Sequence, residues 1–421
     1  MSLRPYQRKG VEHLMSNQRA LLLDDVGLGK TAQALVAASS LGAKTTLVLC
    51  PPATRYGWEA EAKKWTTRQY NIHVMTREKE WIPEGVNILV VSYSLLNSPM
   101  IIDQLKSMKW SVTICDEIHY CKNGTSKRSK TILGRGGLIS KSVYFWGLTA
   151  TPLINAPIDL WQVFRSMGKA HLPEKQRDWM GYTRRYCKRF KSHWGRWDTT
   201  GAANLDELKQ CLYGTGFAVR RTKSEVLTEL PEKTLRLMPL DGDGVGPAHM
   251  KWDKLRDSKV RLGLGGAEIA EARRDLGMAK LDAVVEYVLS IEEPVVVFGW
   301  HQEFLRELSE RTNGVLYYGA MSPAQKERAK AQFIAGKAPV FAANLQSAGT
   351  GLDGLQHVSD HCVFAELPWT YTEIDQATGR LHRMGQKNHV LCDMLVEHGG
   401  VEEYMMKTIL RKEGHSAAVV G

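Results

Sequence analysis

Ala20-Leu21-Leu22-Leu23-Asp24-Asp25-Val26-Gly27-Leu28-Gly29-Lys30-Thr31, running on into Ala32–Ala38, reads as a short apolar strand, a turn with two glycines and the start of a helix. That order aims several backbone N–H groups and the positive end of a helix dipole at one point, which is what a row of phosphates requires. Lys30 is then placed to neutralise the β- and γ-phosphates of a nucleoside triphosphate and Thr31 to hold Mg2+, with Gly27, Leu28 and Gly29 bringing the backbone close. The stretch departs from the pattern G-x-x-x-x-G-K-T at its first position, where Asp24 stands.

Outward from this point the same alternation repeats. Apolar, β-branched runs at Ala20–Leu23, Thr46–Cys50, Asn87–Ser92, Val112–Cys115 and Ser142–Leu148 are separated by helical patterns, the rhythm of a parallel sheet with crossover helices. It lapses and returns at Pro294–Phe298, Val315–Tyr318, Ala338–Ala343, His361–Phe364 and Val390–Leu395. Two α/β lobes are therefore expected, over residues 1–232 and 233–421, with a hinge near 231–247, where Asp241-Gly242-Asp243-Gly244 carries turn residues. A loop just inside the second lobe is the alternative for those breakers. The charge-rich stretches from Pro157 to about Leu230 and from His249 to about Gly277 read as helical insertions.

Composition narrows the class. At 43% hydrophobic and 24% charged residues the chain is ordinary for a water-soluble protein, and no apolar run nears the ~20 residues of a membrane helix. The start, Met1-Ser2-Leu3-Arg4-Pro5-Tyr6, has no apolar signal core, so the expected location is the cytoplasm, on the nucleoid, in a prokaryote or virus and the nucleus in a eukaryote. A formal charge of +11 favours a polyanionic partner through counterion release, nucleic acid before others. The seven cysteines form no C-x-x-C pair, which points to reduced structural thiols. His13, His171 and His193 stand in no ligand constellation and are expected to be structural or solvated.

Hydrolysis of a triphosphate also needs carboxylates. The buried run Val112–Cys115 ends in Asp116-Glu117-Ile118-His119, where Asp116 can reach Mg2+ and Glu117 can orient and deprotonate the attacking water. In the second lobe, Arg380 and Arg383 stand three apart within Gln376-Ala377-Thr378-Gly379-Arg380-Leu381-His382-Arg383, hence on one face if the segment is helical, and can present guanidinium groups to a γ-phosphate.

Together these segments resemble the superfamily-two helicases and, within them, the Swi/Snf-type DNA translocases, over nearly the whole chain. Leu3-Arg4-Pro5-Tyr6-Gln7 resembles the adenine-reading segment, which implies Gln7 as the base contact. Asp25–Thr31 is similar to the last seven residues of D-E-M-G-L-G-K-T, Cys50-Pro51 with Trp58, Glu61 and Trp65 to the stretch that follows it, and Asp116–His119 to D-E-A-H or D-E-G-H, with Lys122-Asn123 and Ser126-Lys127 in its tail. Leu148–Asn155 resembles L-T-G-T-P-L-Q-N. Arg220-Arg221-Thr222-Lys223 with Val226-Leu227 and Leu230-Pro231 is close to the R-R-T-K…V-L…L-P signature that ordinary unwinding helicases lack. Ser347–Asp353 is similar to A-G-G-x-G-L-N, and Ala365-Glu366-Leu367-Pro368-Trp369 leans toward the annealing-helicase branch.

The resemblance implies two RecA-like parallel-sheet lobes with an ATP cleft between them, ATP and Mg2+ as cofactors, and a monomeric, ATP-dependent DNA translocase. It would act on duplex, forked or branched DNA in repair, recombination or replication. It further implies Gly351 and Asp353 at the nucleotide, His119, Gln376 and Trp369 as coupling residues, and Thr149, Thr151, Asn344, Ser347 and Thr350 at DNA phosphates. A strand-separating helicase and a nucleotide-dependent DNA-binding switch with little turnover are the alternatives. Residues 177–197 interleave Arg177, Arg184, Arg185, Lys188, Arg189, Lys191 and Arg196 with Trp179, Tyr182, Tyr186, Phe190, Trp194 and Trp197. The rings fall at helical spacing and are expected to pack, leaving the basic side for phosphates.

Overall fold

The computed structural model describes residues 2–66, 70–150, 156–191, 195, 197–240, 267–348, 352–397, 402, 405, 406 and 409. The chain divides into two compact units that meet at Thr228 and Glu229.

The first unit is built on a seven-stranded sheet: β1 (Arg19–Leu22), β2 (Thr46–Cys50), β3 (Ile72–Val74), β4 (Ile88–Ser92), β5 (Trp110–Asp116), β6 (Ser142–Leu148) and, after the short pair β7 (Phe190–Lys191) and β8 (Trp197–Asp198), β9 (Ala218–Val219). Its order is β3-β4-β2-β5-β6-β1-β9, and every pairing is parallel. Parallel strands must be covered on both faces, and β2 and β4 are buried at every position. Two clusters do the covering. Ala34, Leu35 and Ala38 of helix Lys30–Ser40 pack with Val48, Val90 and Ile114 on one face. Leu49, Val91 and Phe145 pack with Leu160, Phe164 and Phe217 on the other.

The second unit carries β10 (Lys233–Leu240), β11 (Val295–Gly299), β12 (Val315–Tyr317), β13 (Val340–Asn344), β14 (His361–Phe364) and β15 (Val390–Glu397) in the order β10-β15-β14-β11-β13-β12, again all parallel. β10 corrects the expected hinge: residues 233–240 are an edge strand paired along its length with β15. Its half-exposed alternation and Pro239 suit an edge position and hid it among the breakers that follow. Residues 241–247 lie outside the described ones. Of the second helical insertion, helix Ala267–Ala279 is described and runs past Gly277.

The region 157–230 also departs from an all-helical insertion. The aromatic stripe is not one helix: Trp179–Tyr186 is helical, Lys188 takes a left-handed φ of 45°, and β7 and β8 then form an antiparallel pair. Tyr182 and Tyr186 are fully buried as expected, whereas Phe190 is 56% and Trp197 46% exposed, because a two-stranded ribbon has no second layer to cover it. Among the described residues no helix is long and apolar enough to cross a membrane.

Candidate functional site

In the first unit Leu22 of β1 lies opposite Leu148 of β6, and Leu148 opposite Asp116 of β5. This register brings the three strands to their carboxyl ends in one row. From it leave the phosphate loop, the Asp116-Glu117 pair and Thr149, at the edge where open α/β sheets place ligands.

The loop turns on Gly27 and Gly29, whose φ values of 85° and 76° lie where a side chain is costly. At Gly29 a Cβ would also stand 2.5 Å from Gln7 Nε2. Gln7, from helix Pro5–Ser16, is buried and donates to the Leu28 carbonyl at 3.3 Å, so the predicted base-reading residue is fixed to the loop itself. Lys30 Nζ donates to the carbonyls of Asp24 and Asp25 at 2.6 and 3.1 Å. Thr31 follows Lys30 in the first turn of helix Lys30–Ser40 and is half-buried.

The loop's departure from the usual first glycine has a structural reason. Asp24 is fully buried and receives Arg221 Nε at 2.8 Å, Arg221 Nη2 at 2.6 Å and Gln33 Nε2 at 3.0 Å. Asp25 receives Arg220 Nη2 at 2.9 Å and the Lys223 backbone N–H at 3.0 Å. The Arg220-Arg221 signature is thus bolted to the phosphate loop across nearly two hundred residues of sequence. Removing one partner of a buried pair strands the other charge, so Arg221→Ala is expected to destabilise the chain by about 3–5 kcal/mol. Denaturant unfolding checks this: Asp24→Asn in the same chain should recover part of the loss, and a loss under about 1 kcal/mol would show that solvent already screens the pair.

The acid pair occupies two different environments. Asp116 Oδ2 accepts from Trp58 Nε1 at 2.8 Å, and its backbone carbonyl accepts from Tyr93 Oη. Burial and the neighbouring Glu117 charge push the Asp116 carboxyl up, opposed by Trp58 and Lys30. Glu117 sits at a left-handed φ of 51°, uncommon for a residue with a side chain, and its Oε2 accepts from Thr149 Oγ1 at 2.7 Å. His119 Nδ1 lies 2.9 Å from the same hydroxyl and 3.2 Å from Glu117 Oε2. Burial works against the Glu117 charge, but His119, Lys30 and Thr149 outweigh it and hold this carboxyl low. Neighbouring acids pushed apart in this way are suited to separate roles.

Thr149, expected at DNA phosphates, has a fully buried side chain whose hydroxyl bonds Glu117 and His119. In the second unit Asn344 and Ser347 are likewise buried, at 8% and 5% exposure, and Asn344 Nδ2 donates to the Trp300 carbonyl at 2.6 Å. Thr151, Thr350 and Gly351 lie outside the described residues.

The arginines also need correcting. Helix Tyr371–Thr378 carries Gln376 but stops before Gly379, so Arg380 and Arg383 sit in the turns that follow rather than on one helical face. Arg383 pairs with Asp353. Although desolvation opposes it, the charges of Arg383 and Arg380 hold the Asp353 carboxyl below its usual range. Trp369 is half-buried, with the Arg273 guanidinium 5.0 Å from its ring and 4.9 Å from that of Trp300. Arg273 donates to the Leu367 carbonyl at 2.6 Å. Glu366 beside it accepts from the Trp300 and His301 N–H groups at 2.7 and 2.8 Å. Arg273, His301 and Tyr93 carried no sequence signal, since each acts through a partner distant in the chain.

The model of the SNF2-related domain matches residues 6–245, and that of the helicase conserved C-terminal domain matches residues 279–385. The chain is 30% identical over 447 residues to the DNA annealing helicase and endonuclease ZRANB3 of Mus musculus, across 97% of this chain and 40% of that protein. It is 28% identical over 439 residues to the SWI/SNF-related matrix-associated actin-dependent regulator of chromatin subfamily A-like protein 1 of Xenopus tropicalis, across 98% of this chain and 44% of that protein. The chain therefore spans about two fifths of the length of these relatives. Among solved structures the Sulfolobus solfataricus SWI2/SNF2 ATPase core in complex with dsDNA aligns over 100% of this chain and 94% of that one, at 21% identity and a TM-score of 0.47.

Proposed function

The chain belongs to the SNF2-related family, and from that premise we propose that it is an ATP-dependent DNA translocase acting on duplex, forked or branched DNA. The observation that carries this reading is the row of three strand ends that brings Lys30, Asp116, Glu117 and Thr149 to one edge of the first sheet. The branch- or fork-directed version draws its support from relatives whose names include an annealing helicase.

In this reading Lys30 exchanges its carbonyl partners for the β- and γ-phosphates, and the N–H groups around Gly27–Gly29 receive phosphate oxygens. Thr31 and Asp116 fit a Mg2+ site, a hydroxyl and one carboxylate being the sparse protein donor set this ion takes beside phosphates. When bound, Mg2+ would neutralise charge developing on the phosphate oxygens. Glu117, held ionised by His119 and Thr149, takes the proton of the attacking water. Arg380 and Arg383 supply guanidinium groups to the γ-phosphate. Thr149 and His119, bonded to Glu117, make the base sensitive to any movement of the segment after β6, which is how hydrolysis and DNA engagement would be linked.

Steady-state hydrolysis with no nucleic acid, single-stranded DNA, blunt duplex, forked DNA and RNA at fixed low salt is the test. Stimulation by duplex or fork, falling steeply as salt rises, is the expected result. Stimulation by single strands or RNA alone would indicate a strand-separating helicase, and no turnover with any of them a nucleotide-dependent switch.

A further inference from the structure

The β7–β8 pair is the part of the first unit that the ATPase reading does not use. In its register Lys191 lies opposite Trp197 and Phe190 opposite Asp198. Alternation along a strand therefore puts Lys191, Trp197 and, two residues before Lys191, Arg189 on one side, with Phe190 and Asp198 on the other. On the first side the Arg189 guanidinium stands 4.0 Å from the Trp197 ring centroid and 5.5 Å from that of Trp179. Trp179, Arg189 and Trp197 form a ladder whose outer rung, Trp197, is 46% exposed. Lys191, opposite Trp197, is exposed, as are Arg184 and Lys188 earlier in the segment. The two acids of the segment are committed elsewhere: Asp178 caps helix Trp179–Tyr186 through the Gly181 N–H at 2.7 Å, and Asp198 accepts from Thr200 N and Oγ1 at 2.8 and 2.7 Å.

An exposed indole backed by a guanidinium, with a lysine opposite it in the ribbon, has one well-matched occupant. We propose that the Trp197 face of this ribbon is a platform on which an unpaired base of single-stranded DNA stacks, its phosphates lying toward Lys191. Base stacking on an aromatic ring is indifferent to sequence, and the neighbouring lysine takes the backbone charge. A duplex, whose bases are already stacked, gains only the lysine. The ribbon would therefore favour forked over blunt DNA, a preference that rests on the translocase reading but is measured separately from it.

The test is binding of labelled forked DNA with a single-stranded arm, and of blunt duplex, by fluorescence anisotropy, alongside duplex-stimulated ATP hydrolysis. Trp197→Ala is expected to weaken fork binding by on the order of tenfold, the worth of one stacked base. Duplex binding and duplex-stimulated turnover should stay unchanged. Trp197→Phe should restore most of the loss, and Phe190→Ala, on the opposite side, should cause little. Unchanged fork affinity in Trp197→Ala, or parallel loss on fork and duplex, would overturn the proposal. A wild-type protein stimulated by duplex but binding both DNAs equally would overturn it while leaving the translocase reading standing. Loss of fork binding in Trp197→Ala from a protein that no DNA stimulates would keep the platform and reject the translocase.

Discussion

Glu117→Gln is expected to bind ATP and to hydrolyse it at least ~100-fold more slowly. Glutamine keeps the size and hydrogen-bonding oxygen of the side chain, so the Thr149 hydroxyl still finds an acceptor and the left-handed turn at residue 117 is unchanged. What is removed is the capacity to take a proton. The surroundings of Glu117 serve that capacity: His119, Lys30 and Thr149 together keep the carboxyl ionised despite burial. Asp116 next to it is bonded through Oδ2 to Trp58 and is the carboxylate assigned to Mg2+, so it is not free to act as the base in its neighbour's place. Saturating-ATP phosphate release with DNA present, together with equilibrium nucleotide binding, separates the two effects. Near-normal turnover would take the base role away from Glu117.

Much of this site was legible in the chain because its pieces are local. The phosphate loop needs a strand, two glycines and a helix start within a dozen residues, and β2, β6 and β14 are found where continuous apolar runs predicted them. What escaped the sequence is of two physical kinds. Strands at sheet edges lack continuous apolar runs: β10 alternates and ends beside turn residues, and β9 is two residues long. Pairings across long separations leave no local trace, so Asp24 looked like a defect in the loop until Arg221 was found bonded to it. Periodicity also misled in one direction. The rings of residues 177–197 keep helical spacing, yet Lys188 turns the chain out of the helix, and among the described rings only Tyr182 and Tyr186 are fully buried. The burial of Thr149, Asn344 and Ser347 likewise left no trace in motif likeness.

Arg383→Ala is expected to lower DNA-stimulated turnover by roughly a thousandfold, the usual worth of a guanidinium at a transferring γ-phosphate, while DNA binding is kept. Arg383 lies in a turn beyond helix Tyr371–Thr378 and is held by Asp353, a partner with a largely exposed side chain. Exposed ion pairs contribute little, about 0–1 kcal/mol, so giving up Asp353 for a phosphate is energetically open to it. Arg380, whose charge also acts on Asp353, lies in the same run of turns and not with Arg383 on the single helix face that their spacing predicted. Arg383→Lys separates charge from geometry: the ammonium can keep the Asp353 pair but cannot present a planar fork to two oxygens. The lysine variant should therefore stay deficient by at least about tenfold if the fork matters, and near-complete rescue would reduce the role to charge alone. Lost DNA affinity with unchanged turnover in Arg383→Ala would place this residue on the nucleic acid rather than on the nucleotide.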